Sequence, residues 1–395
     1  MDSNMIEEFR NFLLKNENDQ FRLLEKLVLQ PSFSGNKQEV DKLGVIISQE
    51  LSSLPMSLET VEQCKTGNHL LFRSPACSRH KNSILLVGHM DTVFPPESGF
   101  DWYREEGKKV FGPGVIDMKG GLVTAIFALK ALQHQDLLKK IPITLICNSD
   151  EEIGSPTSIE LITEQAKKGL FGLVFECGGL DGEIVTGRKG KTGLTLDVSG
   201  KGGHAAFAGS DKPSAVLELA HKIIAIEQLN DPERQLAVNV GTIEGGIGPN
   251  TIPEKAVAKI DTRYRTQSDG DIVASSLRAI AKKCVVPGTT GVLTHTSFRP
   301  PMEQSMNNLI LFQHIKDIAD RLKITAKAEI RSGVSDANIM AAAGLPVVDG
   351  MGPIGDCDHS DCEYMIRESL PLKTLLSTVA IADGWHRINR RTFFP

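Results

Sequence analysis

The sequence has no surplus of cationic residues, no long apolar run and no paired-cysteine motif. Lys+Arg 44 against Asp+Glu 49 leaves a formal charge of -5. No cation excess is available to neutralise a phosphate backbone or an anionic bilayer surface, so neither nucleic acid nor a membrane is an expected partner. Apolar stretches such as Ile84 to Val87 and Ile143 to Cys147 fall far short of the roughly 20 residues that cross a bilayer. The first twenty residues carry Asp2, Glu7, Glu8, Arg10, Lys15, Glu17 and Asp19 through a broken apolar pattern, unlike the apolar core of a secretory signal, and the chain reads as cytoplasmic. The seven cysteines (64, 77, 147, 177, 284, 357 and 362) are odd in number and contain no CxxC pair, which disfavours both a disulfide framework and a thiolate zinc site. There is no internal repeat and no low-complexity tract.

What is present is a globular balance of 41% apolar and 24% charged residues over 395 positions, more chain than one hydrophobic core usually serves. Apolar residues recur at helical spacing from Ile6 to Leu29 and again from Val40 to Leu51, with Pro31, Ser32, Ser34 and Gly35 between, so two helices open the chain. Ser83 to Gly88, Ile141 to Cys147 and Gly172 to Phe175 read as strands buried on both faces. Between the first two, a helical pattern runs through Leu122, Ile126, Leu129 and Leu132. Strands alternating with helices predict an α/β core, a mainly parallel mixed sheet with helices on both faces.

From about residue 190 the pattern changes. Thr192 to Val198, Gln235 to Ile243, Lys255 to Arg263 and Gly291 to Phe298 read as strands, and Pro213 to Leu229 and Asp269 to Cys284 as helices. This βαββαβ order is ferredoxin-like α+β. After it the chain returns to α/β character, with helices at Met306 to Leu322, Asp336 to Ala343 and Leu370 to Asp383 and strands at Ile324 to Ile330 and Leu345 to Val348. The second unit is therefore read as an insert, residues 190–303, in a discontinuous domain of residues 1–189 and 304–395.

The three core strands end at chemistry-bearing residues: His89 and Asp91; Asp150, Glu151 and Glu152; and Glu176. Strand ends of an open α/β sheet are where ligands bind. Taken singly, each group has an ordinary reading. His89 and Asp91 can be a solvated loop pair, Asp117 an N-cap, the acidic triplet a solvated turn and Glu176 a capping carboxylate. Together, one imidazole and several carboxylates at one rim, with His359 in a later segment, form a ligand set without thiolate that suits zinc, manganese or cobalt. So many converging acids are easier to reconcile with two cations, about 3.5–4 Å apart and bridged by a carboxylate, than with one.

The ordered set GHMDTV (88–93), GPGVIDMKGG (112–121), SDEEIGS (149–155), Glu176 and GDCDHSDCEY (355–364) resembles the M20 family of di-zinc peptidases and amidohydrolases, most of all the glutamate carboxypeptidases, across most of residues 85–370. The resemblance implies two Zn2+ per chain, with Co2+ or Mn2+ as substitutes. His89 and Glu176 would hold one ion, Glu152 and His359 the other, with Asp117 bridging and Asp91 orienting His89. It implies that Glu151 is the general base, taking a proton from the attacking water and returning it to the leaving amine. It also implies His204 in KGGHAA as oxyanion donor, and Asn250 in GPNTIP, Arg263 in DTRYR and Gly333 in RSGVSDAN on the substrate; without the resemblance, His204 reads as a surface or core histidine and Arg263 as a routine surface cation. The inserts of dimeric relatives pair, which implies a homodimer and a dimerisation or lid role for residues 190–303. Asp356, Cys357 and Asp358 depart from the family pattern, and Cys357 as an extra ligand is disfavoured because family sites are closed by histidine and carboxylate.

The activity implied is hydrolysis of the amide next to a free amino-acid carboxylate in small peptides or N-acyl amino acids, with glutamate one candidate product. Two alternatives stay open, an N-acyl-amino-acid deacylase of the same family and an inactive metal-binding or interaction protein. A cysteine hydrolase using Cys177 or Cys147 has no supporting motif.

Overall fold

The continuous apolar runs become strands covered on both faces. In a computed structural model describing residues 2–209 and 212–394, Ser83–His89, Ile143–Asn148, Gly169–Val174 and Val347–Val348 pair in parallel. Ser57–Val61 and His69–Arg73 extend the sheet antiparallel beyond Ile143–Asn148, giving the mainly parallel mixed sheet that the alternation predicts. Alternate residues of the central strand face opposite sides, and Ile84, Leu85, Leu86 and Val87 are all fully buried. Helices Lys119–His134 and Ser369–Asn389 pack together with the opening helices, while Ile159–Ala166 and Asp336–Ala342 pack together against Gly169–Val174.

Register decides which residues share the sheet's carboxyl rim. His89 stands opposite Asn148, and Val87 opposite both Ile146 and Val174, so the segments that follow, 150–152 and 176, leave the sheet beside His89.

The opening differs from its sequence reading: three helices form, Ser3–Lys15, Glu17–Val28 and Lys37–Leu51. The 6–29 run breaks at Asn16, whose backbone N–H and side-chain Nδ2 both donate to Phe12 O, at 3.1 and 2.7 Å, and Glu17 and Asp19 occupy the next helix's first turn, where acidic groups are favoured. Strand Glu183–Arg188, not foreseen, pairs with Lys327–Arg331.

The chain divides into one unit of Met1–Gly187, Gln304–Arg331 and Ser335–Pro395, and another of Arg188–Glu303 and Ser332–Val334. In the smaller unit, strands run in the order Ala237–Gly245, Lys255–Tyr264, Gly190–Ser199, Thr290–Arg299, each antiparallel to its neighbours. Helices Ala215–Glu227 and Gln267–Lys282 pack on this sheet, the ferredoxin-like arrangement. Leu194, Leu196, Val198, Ala256, Ala258 and Ile260 form the apolar side that those helices cover. No helix among the described residues is long and apolar enough to cross a membrane.

Candidate metal centre

Five residues spread over 271 positions of sequence, 89 to 359, meet at the rim of the larger unit's sheet. His89 Nε2 lies 3.0 Å from Asp117 Oδ1 and 3.6 Å from Glu176 Oε1, while His359 Nε2 lies 3.2 Å from Asp117 Oδ2 and 3.2 Å from Glu152 Oε2. Two half-sites thus share Asp117, one carboxylate oxygen facing each histidine. His89, Asp117 and Glu152 can each offer an atom within 4.8 Å of the others' atoms, as can His89, Glu151 and Glu176, and also Asp117, Asp358 and His359.

Each group is positioned by its own element. His89 ends its strand, and its Nδ1 sits 2.9 Å from the backbone carbonyl of Asp91 and 3.5 Å from that residue's carboxylate. The backbone oxygen is the nearer acceptor, and a proton on Nδ1 leaves Nε2 to face Asp117 and Glu176. The fully buried Asp91 carboxylate accepts from Ser34 Oγ at 2.7 Å and from the N–H groups of Glu151 and Glu152 at 3.2 Å each. It therefore ties the first histidine's loop to the acidic turn. Asp150 is fully buried and turned away from the cluster, accepting from the N–H and hydroxyl groups of both Thr157 and Ser158. Adjacent acids thereby acquire different surroundings.

The clustered imidazoles and carboxylates perturb one another strongly. Burial opposes a charged His89, yet the carboxylates of Glu176, Asp117 and Asp91 hold its imidazole well above its usual range. Hydrogen bonds to Asp117 and Glu152 push His359 up to about 11. Burial, then the charge of Asp117, raises Glu176 to about 7, and the same two causes raise Glu152. Asp117 is held low despite its burial by hydrogen bonds from His359 and His89. Glu152 Oε1 is buried with no hydrogen-bond partner, an expensive state for a carboxylate oxygen unless a cation meets it. An all-imidazole and carboxylate donor set with one carboxylate between two half-sites fits a pair of divalent cations.

Glu363 was singled out by no sequence argument. It is fully buried and accepts from the N–H groups of Gly114 and Ile116 at 2.9 Å and of Asp117 at 3.2 Å. Burial, then Asp117's charge, pushes its carboxyl up to about 8. Its place within GDCDHSDCEY was the available signal. Asp358, exposed beside His359, is a further carboxylate within reach.

The residues assigned to substrate lie in the smaller unit. Gly203–His204 pairs with Thr251–Ile252, and Ala205 N–H donates to Asn250 O at 2.9 Å, so His204 and Asn250 are neighbours despite their separation in sequence. His204 Nδ1 accepts from Ala206 N–H at 3.2 Å, which puts the proton of a neutral ring on Nε2, and the side chain is exposed. Arg263 donates through Nε to Asp261 at 2.8 Å and reaches Ser332 O at 3.5 Å, next to Gly333, whose carbonyl accepts from Arg188 at 3.1 Å. Among the described residues, a Cβ at Gly333 would meet only Arg188 Nη1, at 3.7 Å.

The family model described as Peptidase family M20/M25/M40 matches residues 85–380. Carboxypeptidase G2 of Pseudomonas sp. (strain RS-16) is 28% identical over 377 residues, covering 92% of this chain and 88% of that protein. Among solved structures, aminopeptidase PepT from Bacillus cereus ATCC 10987 superposes with a TM-score of 0.77 at 20% identity, covering 93% of this chain and 98% of that one. The dinuclear metal-binding M20 peptidase YXEP of Bacillus subtilis gives 0.69 at 14%, covering 93% and 98%. The two structural likenesses establish the fold.

Proposed function

The chain belongs to peptidase family M20/M25/M40 and hydrolyses peptide or amide bonds; on that premise we propose that it is a di-zinc, carboxypeptidase-like enzyme removing an amino acid with a free α-carboxylate from small peptides or N-acyl amino acids. The observation that carries this reading is the placement of Asp117 between His89 and His359, one carboxylate oxygen toward each.

His89, Glu176, Asp117, Glu152 and His359 would hold the two ions. Divalent cations there would supply a water of lowered pKa and polarise the scissile carbonyl. Glu151, on the turn anchored by Asp91 and Asp150, takes the proton of the attacking water and passes it to the leaving amine. In the smaller unit, His204 donates its Nε2 proton to the developing oxyanion. Arg263 turns its planar fork to the substrate carboxylate, and Asn250 and the backbone at Gly333 hold the substrate's peptide groups. Release of glutamate, action in the cytoplasm and homodimerisation through residues 190–303 complete the proposal; the likeness to carboxypeptidase G2 supports the carboxypeptidase assignment.

Metal analysis of protein purified without chelator, combined with a panel of dipeptides and acylated amino acids assayed with and without zinc, tests it. Close to two ions per chain and zinc-dependent release of a carboxylate-bearing amino acid are expected. No metal under loading conditions, or hydrolysis indifferent to chelator, refutes the proposal. Preference within the panel separates peptidase from deacylase.

A further inference from the structure

The hairpin that carries His359 also carries two cysteines for which the proposed reaction has no use. Gly355–Asp356 and Tyr364–Ile366 pair antiparallel, Gly355 opposite Met365 and Asp356 opposite Tyr364. Continuing that register brings Cys357 and Cys362 one step from facing each other on the two arms of the connecting loop. Ser360 lies between them, its Oγ donating to Cys357 O at 2.6 Å and standing 3.2 Å from Cys362 Sγ. Cys362 is exposed and Cys357 partly so, so both are open to a dissolved reagent. Cys357 and His359 each adopt a positive φ, 65° and 60°, a conformation costly to L residues. The loop is thus held in shape by its own contacts, and His359 shares in any change to them.

We propose that Cys357 and Cys362 are a dithiol modification site, closed into an intramolecular disulfide around His359 by a low-molecular-weight disulfide such as oxidised glutathione, and that closure loosens the grip of His359 on a bound metal ion. One cysteine attacks a sulfur of the reagent, breaking its S–S bond, releasing one small thiol and leaving a mixed disulfide on the protein. The other cysteine then attacks the protein sulfur of that mixed disulfide and expels the second small thiol. The protein thiols give up two electrons and two protons, and the reagent's two sulfurs take them up. Closure draws the sulfurs to about 2 Å, displacing the Ser360 contacts that lie between the arms. In a reducing compartment the dithiol persists, so the pair would respond to oxidation and would not serve as a permanent staple.

The coupling to metal rests on the proposed di-metal function, and the test separates the two. Reduced, metal-loaded full-length protein is treated with oxidised glutathione, mapped by mass spectrometry of unreduced peptides, and mixed with a chromogenic chelator to time metal release. A Cys357–Cys362 linked peptide, at least about threefold faster release, reversal by dithiothreitol, and release insensitive to glutathione in the C357S/C362S variant are expected. Absence of the linked peptide while the exposed Cys64 and Cys284 take up glutathione overturns the modification site. A linked peptide with unchanged release overturns the coupling. Reduced protein that binds no metal refutes the di-metal reading and the coupling together, while the peptide map still decides the linkage.

Discussion

Replacing Asp150 by asparagine probes whether the acidic turn is positioned by hydrogen bonds or by its own chain geometry. Asp150 Oδ2 accepts from Thr157 N–H at 2.6 Å, Thr157 Oγ1 at 2.7 Å and Ser158 N–H at 3.2 Å, and Oδ1 accepts from Ser158 Oγ at 2.6 Å. Asparagine keeps the volume, so no cavity term arises, and its oxygen can take the Oδ2 position while its amide faces a hydroxyl free to rotate and accept. What is lost is charge assistance on all four bonds, each falling from about 1.5–3 kcal/mol to about 0.5–1.5 kcal/mol. That loss, about 4 kcal/mol in all, is offset by about half because a neutral amide is cheaper to bury than a carboxylate. A net destabilisation of about 2 kcal/mol is expected. Glu151 and Glu152 follow directly, and loosening their turn should lower kcat/KM about tenfold, because small misplacements of catalytic groups are costly. Urea unfolding read by circular dichroism, together with hydrolysis of the best panel substrate, measures both effects. A D150N variant with unchanged midpoint and unchanged turnover would show that the hydrogen bonds to Asp150 do not hold the turn.

Glu151→Gln should bind metal as the unmodified protein does yet lose about 10²–10⁴ in kcat; comparison of metal content with turnover checks it, and retained activity would assign the base elsewhere. Arg263→Ala should raise KM about 10- to 100-fold for substrates with a free carboxylate, the value of one charge-assisted contact; an equal loss on an esterified analogue contradicts the role. His314 is buried, and burial, against the attraction of Asp383, holds its imidazole down to about 4. Because the folded value lies below the ordinary one, the unfolded chain takes up the proton first, so about 3 kcal/mol of stability present above pH ~6.5 is lost as pH falls to about 4. The stability gap between unmodified protein and H314L should shrink by that amount between pH 7 and 4, and a gap independent of pH in urea titrations would refute the assignment.

The parts of the fold legible in sequence are those where burial writes a pattern. Ser83–His89 and Ile143–Asn148 are buried on both faces and appear as apolar runs, and Gly190–Ser199, half-buried, appears as alternation. Ser57–Val61 is almost wholly exposed, and Arg104–Glu106 and Lys109–Phe111 are three residues each, so neither period nor length marks them as strands. The break at Asn16 is hidden because apolar spacing continues across it, through Phe9 and Leu13 to Phe21 and Leu24. The clustered histidines and carboxylates were legible because each ends an apolar run or sits in a motif. Ser34 and Glu363 act across 57 and up to 249 positions of chain, and only tertiary folding assigns them partners.

The way the buried acids are held explains why the rim should keep an affinity for cations. Among the described residues, Asp91 and Glu363 are held by N–H or hydroxyl donors, and the ion pairs of Asp91, Asp117, Glu152 and Glu176 involve histidine alone. The two fully buried lysines next to these segments direct Nζ to carbonyls instead, Lys119 to Gln30 O at 2.9 Å and Lys373 to Gly350 O at 2.8 Å, and burial lowers both, to about 7 and about 8. A dipole orients a carboxylate without cancelling its charge, whereas a guanidinium or ammonium would do both and compete with any incoming ion. Fixing the acids on N–H groups and hydroxyls therefore sets their geometry, while among the described residues only histidine, itself a metal ligand, meets the charge of the cluster. A lysine introduced at Ser34, within reach of Asp91, should accordingly weaken metal binding more than the neutral S34A does; isothermal titration with zinc would show this, and equal affinities in the two variants would mean that the rim's charge is not what retains the ions.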